Sequence, residues 1–156
     1  MADLENTIYM DLDHGRVVIE LLPKLAPLHA DRIRELARAK FYDNVVFHRV
    51  IEGFMAQGGD PTGTGTGGSK KPDLRAEFSA EPHVRGVCSM ARSQSPNSAN
   101  SQFFIVFDDA SFLDNKYTVW GKVTSGMEFV DKLKRGEPPR QPDKIKTMRV
   151  AADVKA

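Results

Sequence analysis

The side chains able to do chemistry are few, and their spacing excludes most of the familiar arrangements. His14, His29, His48 and His83 stand in no ligand-like spacing to one another or to the single cysteine, Cys88, so no metal is expected. There is no Gly-x-Ser-x-Gly turn, and Ser101-Gln102-Phe103-Phe104 is no nucleophile motif, so hydrolysis has no visible machinery. Gly63-Thr64-Gly65-Thr66-Gly67-Gly68 matches the spacing of a phosphate-cradling loop. Such a loop must open a helix whose N-terminus meets the phosphate. Ser69-Lys70-Lys71-Pro72-Asp73 follows instead, without apolar periodicity, and the order Gly-Lys-Ser/Thr is missing. No nucleotide or other cofactor is therefore expected. Two segments remain, Phe47 to Asp60 and Ser101 to Ile105. If Phe47, Arg49 and Ile51 share one strand face, a guanidinium lies between two large apolar residues. By strand pattern alone, the simplest reading of Arg49 is a surface arginine whose stem covers apolar area. That of Ser101 to Ile105 is a plain core strand.

The elements that must hold these residues are short. Ile8, Met10 and Leu12 alternate with polar neighbours and predict a half-buried strand over Thr7 to Leu12. Asp13-His14-Gly15 is turn chemistry, and Arg16 to Leu22 is a second strand, so the two read as a hairpin. Pro27 suits the first turn of a helix running to about Lys40, because its missing N–H has no partner there anyway. Ile33, Leu36 and Ala37 share one face of it, and Arg32, Arg34, Glu35 and Arg38 point elsewhere. Further strands are expected at Val45 to Ile51, Gly86 to Ala91, Ser101 to Phe107, Thr118 to Val123 and Lys144 to Val150. Residues 58 to 72 and Ser93 to Asn100 are loops. Ser125 and Glu128 form a capping-box pattern, which predicts a helix over Met127 to Arg135, stopped by Gly136. The proline-rich EPPRQP segment, 137–142, reads as a solvated loop. Strands do not alternate regularly with helices, so a doubly wound parallel sheet is not expected. A mostly antiparallel barrel or sandwich fits.

Composition agrees with one soluble domain over residues 1–156: 40% apolar, 28% charged, net charge +1. That charge points to neither nucleic acid nor a membrane surface. No basic patch followed by an apolar run marks a signal peptide. No apolar stretch approaches the roughly 18 residues of a membrane span. The cytoplasm is the expected compartment, and Cys88, in the apolar run GVCSMA, is expected to be buried.

FHRVIEGFMAQGGDPTGTGTGG, SMAR, PNSANSQFFIVF and FLDNKYTVWGKV resemble cyclophilin motifs in order and spacing, over essentially the whole chain. The resemblance implies a mainly β fold, a closed eight-stranded antiparallel β-barrel capped by two α-helices. It implies a peptidyl-prolyl cis-trans isomerase acting on Xaa-Pro bonds of peptides and of unfolded or folding proteins. The alternative it leaves is a peptide-binding chaperone module with little dependence on turnover. Arg49 takes the catalytic position, with Gln57 orienting it. Phe54, Met55, Phe104 and Leu113 line the proline pocket. Ala91, Arg92 and Gln102, with Gln57, hold the residues before proline. Tyr117 stands at the rim, Gly65 and Thr66 at the neighbouring groove, and Phe112 is a further substrate-binding position. The family's usual state is a monomer.

Several positions depart from the eukaryotic pattern and look bacterial. Phe112 replaces a frequent tryptophan and lacks an indole donor, so only weak cyclosporin affinity is implied. Tyr117 replaces a histidine, Arg92 an asparagine and Glu52 a proline. Asn100 replaces a glycine, as asparagine tolerates positive φ. The Ser93 to Ser98 loop is one residue longer.

Overall fold

The computed structural model describes residues 3–154; the first two and last two residues of the domain expected over 1–156 lie outside the described residues. Eight strands form one sheet: β1 (Thr7–Leu12), β2 (Gly15–Leu21), β3 (Phe47–Ile51), β4 (Met55–Gly58), β5 (Val87–Met90), β6 (Phe103–Val106), β7 (Val119–Ser125) and β8 (Thr147–Val150). Their spatial order is β3-β4-β6-β5-β7-β2-β1-β8, with every neighbouring pair antiparallel. Helix α1 (Pro27–Arg38) packs on β8 and β7, and α2 (Met127–Val130) on β2. No helix among the described residues is long and apolar enough to cross a membrane.

Period-two alternation decides which side chains meet. Ile8, Met10 and Leu12 from β1 and Val17, Ile19 and Leu21 from β2 all enter the core. There they meet Ile33, Leu36 and Ala37 of α1. Tyr42, Phe47 and Trp120 surround Phe103, each ring meeting it edge-on. β6 has no solvent face. Phe103 and Ile105 join the main core, while Phe104 and Val106 join a second cluster with Met55, Val87, Leu113 and Val119. That second cluster floors the site described below. Cys88 is fully buried, and burial pushes its thiol pKa well above the ordinary range.

Four expectations need correction. The sheet is an open, curled half-barrel and not a closed barrel, because no ladder joins its terminal strands β3 and β8. Single bridges close the seam, Val50 to Gly136 and Val46 to Lys144. Between them lie Pro138, Pro139 and Pro142, which have no N–H to offer a ladder. The segment Met55 to Gly58, expected only as part of a motif, is a strand in its own right. α2 ends at Val130 rather than Arg135, and its N-cap is Gly126 at φ 86° with no side-chain cap bond. Ser125 cannot cap because it pairs with Val18 in β7. Finally, Arg32 does not point away from the core. It is 5% exposed and donates to the carbonyls of Asn100 and Pro72, at 3.1 and 2.6 Å, tying two loops to the helix.

Candidate functional site

Arg49 reaches the outer face of the sheet through a bulge. Its strand pairs Phe47 with Gly58 but Arg49 with Gln57, so His48 is the extra residue. Such a bulge re-aims the side chains after it. Phe47 and Val50 therefore both enter the core, while Arg49 and Ile51 lie on the face of the second cluster. Phe47 and Arg49 do not share a face, which corrects the plain alternation expected for this strand.

The guanidinium is held on two sides. Its Nε donates to Glu137 Oε1 at 2.9 Å, and Nη1 to Gln57 Oε1 at 3.4 Å. Gln57 Nε2 donates in turn to Gln102 Oε1 at 3.0 Å. Gln102 Nε2 donates to the carbonyls of Gly65 and Gly67, at 3.0 and 2.9 Å. One continuous relay thus runs from the proline-rich segment through the arginine to the glycine loop.

Asp60 shapes that loop. Its fully buried carboxylate accepts from the amides of Thr62, Gly65 and Gly67 at 2.7–3.0 Å and from the Thr62 hydroxyl at 2.7 Å. Burial pushes its pKa up, but the Thr62 hydroxyl and the three amides outweigh burial and hold it well below the carboxylate range. A Cβ on Gly67 would collide with this carboxylate, so only glycine lets the backbone close over it.

Two cavities meet at Gln57, Ala91 and Arg92. The smaller, about 140 Å³, is apolar at its base, where Phe54, Met55, Phe104 and Leu113 converge, with Arg49 and Tyr117 at its mouth. The larger, about 560 Å³, runs along the glycine loop past Gly65, Thr66, Asn100 and Gln102. Every site residue assigned from the resemblance lines one of them except Phe112. Phe112 is 63% exposed, with its ring 5.5 Å from that of Phe54. Arg92 uses its fork on backbone carbonyls, two bonds to Lys116 and one each to Ser93 and Gln94. Its guanidinium lies 4.6 Å from the Tyr117 ring centre. Asn100 does not adopt a positive φ. Its side chain is used instead, accepting from the Ser69 amide and hydroxyl and donating to the Lys71 carbonyl and Asp73.

Sequence reasoning passes over three residues here. Asp60 carries a signal, since an aspartate opening a Thr/Gly run can accept the amide two residues on. Glu137 carries none, sitting in what reads as solvated loop. The third is His83, fully buried behind the pocket wall and stacked on Phe104 at 6.2 Å. Its Nδ1 is 3.0 Å from Asp114, and its Nε2 is 2.9 Å from the Ser89 hydroxyl.

Burial lowers the pKa of His83, opposed by Asp114, and of His29, opposed by Glu77. It lowers that of His48 as well, opposed by Asp60 and reinforced by Arg49. A depressed histidine pKa means that the unfolded chain takes up protons first, at about pH 6.5. Stability is then full above about pH 6.5, the unfolded value, and falls as pH drops below it. Denaturant midpoints are expected to be level from about pH 8 to 6.5 and to decline below that. A flat profile would contradict the assignment, and His83→Gln should shallow the slope.

Residues 7–150 match the family model described as "Cyclophilin type peptidyl-prolyl cis-trans isomerase/CLD". A "Probable peptidyl-prolyl cis-trans isomerase" of Brucella suis is 53% identical over 170 residues, covering 99% of this chain and 87% of the relative. A crystal structure of a cyclophilin from Hirschia baltica superposes with a TM-score of 0.91 at 31% identity, covering 99% of this chain and 77% of that one. A cyclophilin type peptidyl-prolyl cis-trans isomerase of Cryptosporidium parvum, crystallised in the presence of the dipeptide Ala-Pro, gives 0.85 at 30% identity, covering 92% and 98%.

Proposed function

The chain belongs to the cyclophilin-type peptidyl-prolyl cis-trans isomerase family, and on that footing we propose that Arg49 is the group that acts on the substrate amide. The observation that carries this reading is a guanidinium, fixed by two partners, at the mouth of a small apolar cavity.

The chemistry follows from the amide. Rotation about the Xaa-Pro bond is slowed by resonance, with a barrier of ~18–20 kcal/mol. No bond breaks, so neither nucleophile nor metal is required. As the amide twists, conjugation is lost and the proline nitrogen regains a lone pair that can accept a hydrogen bond. Arg49 donates to that nitrogen and helps hold the substrate carbonyl, and it stays charged at any working pH. Phe54, Met55, Phe104 and Leu113 hold the ring, with Tyr117 at the rim. Gln57, Ala91, Arg92 and Gln102 hold the residues before proline, which extend past Gly65 and Thr66. The arginine strengthens its bond as the transition state forms, whereas the pocket supplies orientation.

The substrates are proline-containing peptides and segments of folding proteins. We read the chain as one monomeric domain acting in a reducing compartment such as the cytoplasm, where a buried, unpaired Cys88 is at home. A protease-coupled assay on a Xaa-Pro peptide tests the activity. Catalysed isomerisation well above the spontaneous rate is expected, and its absence would overturn the reading. Phe112→Trp, which adds a donor beside Phe54, is expected to tighten cyclosporin binding by about tenfold, one charge-free hydrogen bond's worth. Calorimetry showing no change would assign inhibitor affinity to other positions, Arg92 first.

A further inference from the structure

We propose that Glu137 is a positioning residue for Arg49, delivered by a strap, residues 135–137, that closes the open seam of the sheet. The proposal rests on the reading of Arg49 given above. Three consecutive strap residues are each fastened to β3 or to the turn after it. Arg135 pairs with Glu52, the residue standing where a proline is frequent. Gly136 exchanges two backbone hydrogen bonds with Val50, both 2.8 Å. Glu137 accepts from Arg49 Nε at 2.9 Å. The backbone pair fixes where the strap lies against β3, and that places the carboxylate beside the guanidinium.

The geometry at Arg49 explains what this contact does. A free arginine has several rotatable bonds and loses much of that freedom on binding. Here Nε is taken by Glu137 and one Nη1 donor by Gln57, on different edges of the planar group. Two bonds to two edges set the plane of the guanidinium and leave its Nη2 donors without an acceptor among the described residues. A planar fork held in this way presents donors in one direction only. Glu137 lines neither cavity and acts through Arg49. The pair is half exposed, 42% and 56% for the two side chains, so its effect is modest in size.

Five proteins decide the matter: wild type, Glu137→Ala, Glu137→Gln, Arg49→Ala and the double alanine variant, each assayed for isomerisation with kcat and KM resolved. Glu137→Ala is expected to lower kcat about fivefold, with KM and the thermal midpoint little changed. In the Arg49→Ala background the same change should have no further effect. Glu137→Gln keeps an oxygen acceptor for Nε and should recover most of the loss. Full activity in Glu137→Ala overturns the proposal, as does an equal loss in both backgrounds, or a Gln variant as poor as Ala. If Arg49→Ala itself keeps full activity, the reading of Arg49 fails instead, so the two failures are distinguishable.

Discussion

Arg49→Ala is expected to lower kcat/KM for a Xaa-Pro peptide by about 100-fold while leaving the protein folded. The size follows from the bond it removes. A charge-assisted hydrogen bond is worth roughly 1.5–3 kcal/mol, and each tenfold of rate needs ~1.4 kcal/mol, so one such bond accounts for one to two decades. The remainder of the rate enhancement belongs to the pocket, which holds the ring whether or not the arginine is present. The loss should therefore appear in kcat more than in KM. Folding should survive because Arg49 points to the outer face and its side chain is 42% exposed. The aromatic core around Phe103 does not include it. The check is a protease-coupled assay alongside a thermal melt. Unchanged kcat/KM in a folded variant would remove Arg49 from its assigned role.

Asp60→Ala should be the most damaging single change to the scaffold of the site. It leaves the amides of Thr62, Gly65 and Gly67 facing an empty space where a carboxylate stood. Each buried donor without a partner costs about 1–3 kcal/mol. Some of these amides will reach water as the loop relaxes, so a total of about 2–4 kcal/mol is expected in denaturant unfolding. Activity should fall too, through a nameable path. Gly65 and Gly67 supply the carbonyls that orient Gln102, and Gln102 orients Gln57 beside Arg49. Asp60→Asn tests whether both carboxylate oxygens are needed. Its amide keeps one acceptor but points an N–H at donors, so stability should drop nearly as far as with alanine. An Asp60→Ala protein of wild-type stability would show that the loop is held by something else.

Much of this fold is legible in the amino-acid sequence. The hairpin, α1 and most of the later strands follow from period-two and period-3.6 alternation, because a half-buried element must repeat its apolar residues with its own geometry. The site residues assigned by motif resemblance all line one cavity or the other in the fold, except Phe112. The departures have a common cause. Ser125 reads as a cap because capping boxes are local, yet a strand partner 107 residues away in the chain, Val18, takes its backbone. Arg32 reads as an outward residue because arginine seldom lies buried. Carbonyls from Pro72 and Asn100, contributed by distant loops, offset the cost of its burial.

The site divides along the same line. Residue types and spacing led to the expectation of neither metal nor nucleophile chemistry and to an apolar strand beside a plain surface arginine; resemblance in the motifs, not the strand pattern, singled out Arg49. These are properties of a few adjacent side chains and survive in the linear order. Tertiary structure decided the rest. A bulge at His48 turned Arg49 away from the core, and an open seam let the 135–137 strap bring Glu137 to its Nε. A buried Asp60 bent the glycine loop until its carbonyls met Gln102. Each joins residues between 5 and 88 positions apart in the chain, except the bulge, which is set by the register of β3 on β4. Register and long-range pairing depend on the balance of the whole sheet, and no local pattern carries that information.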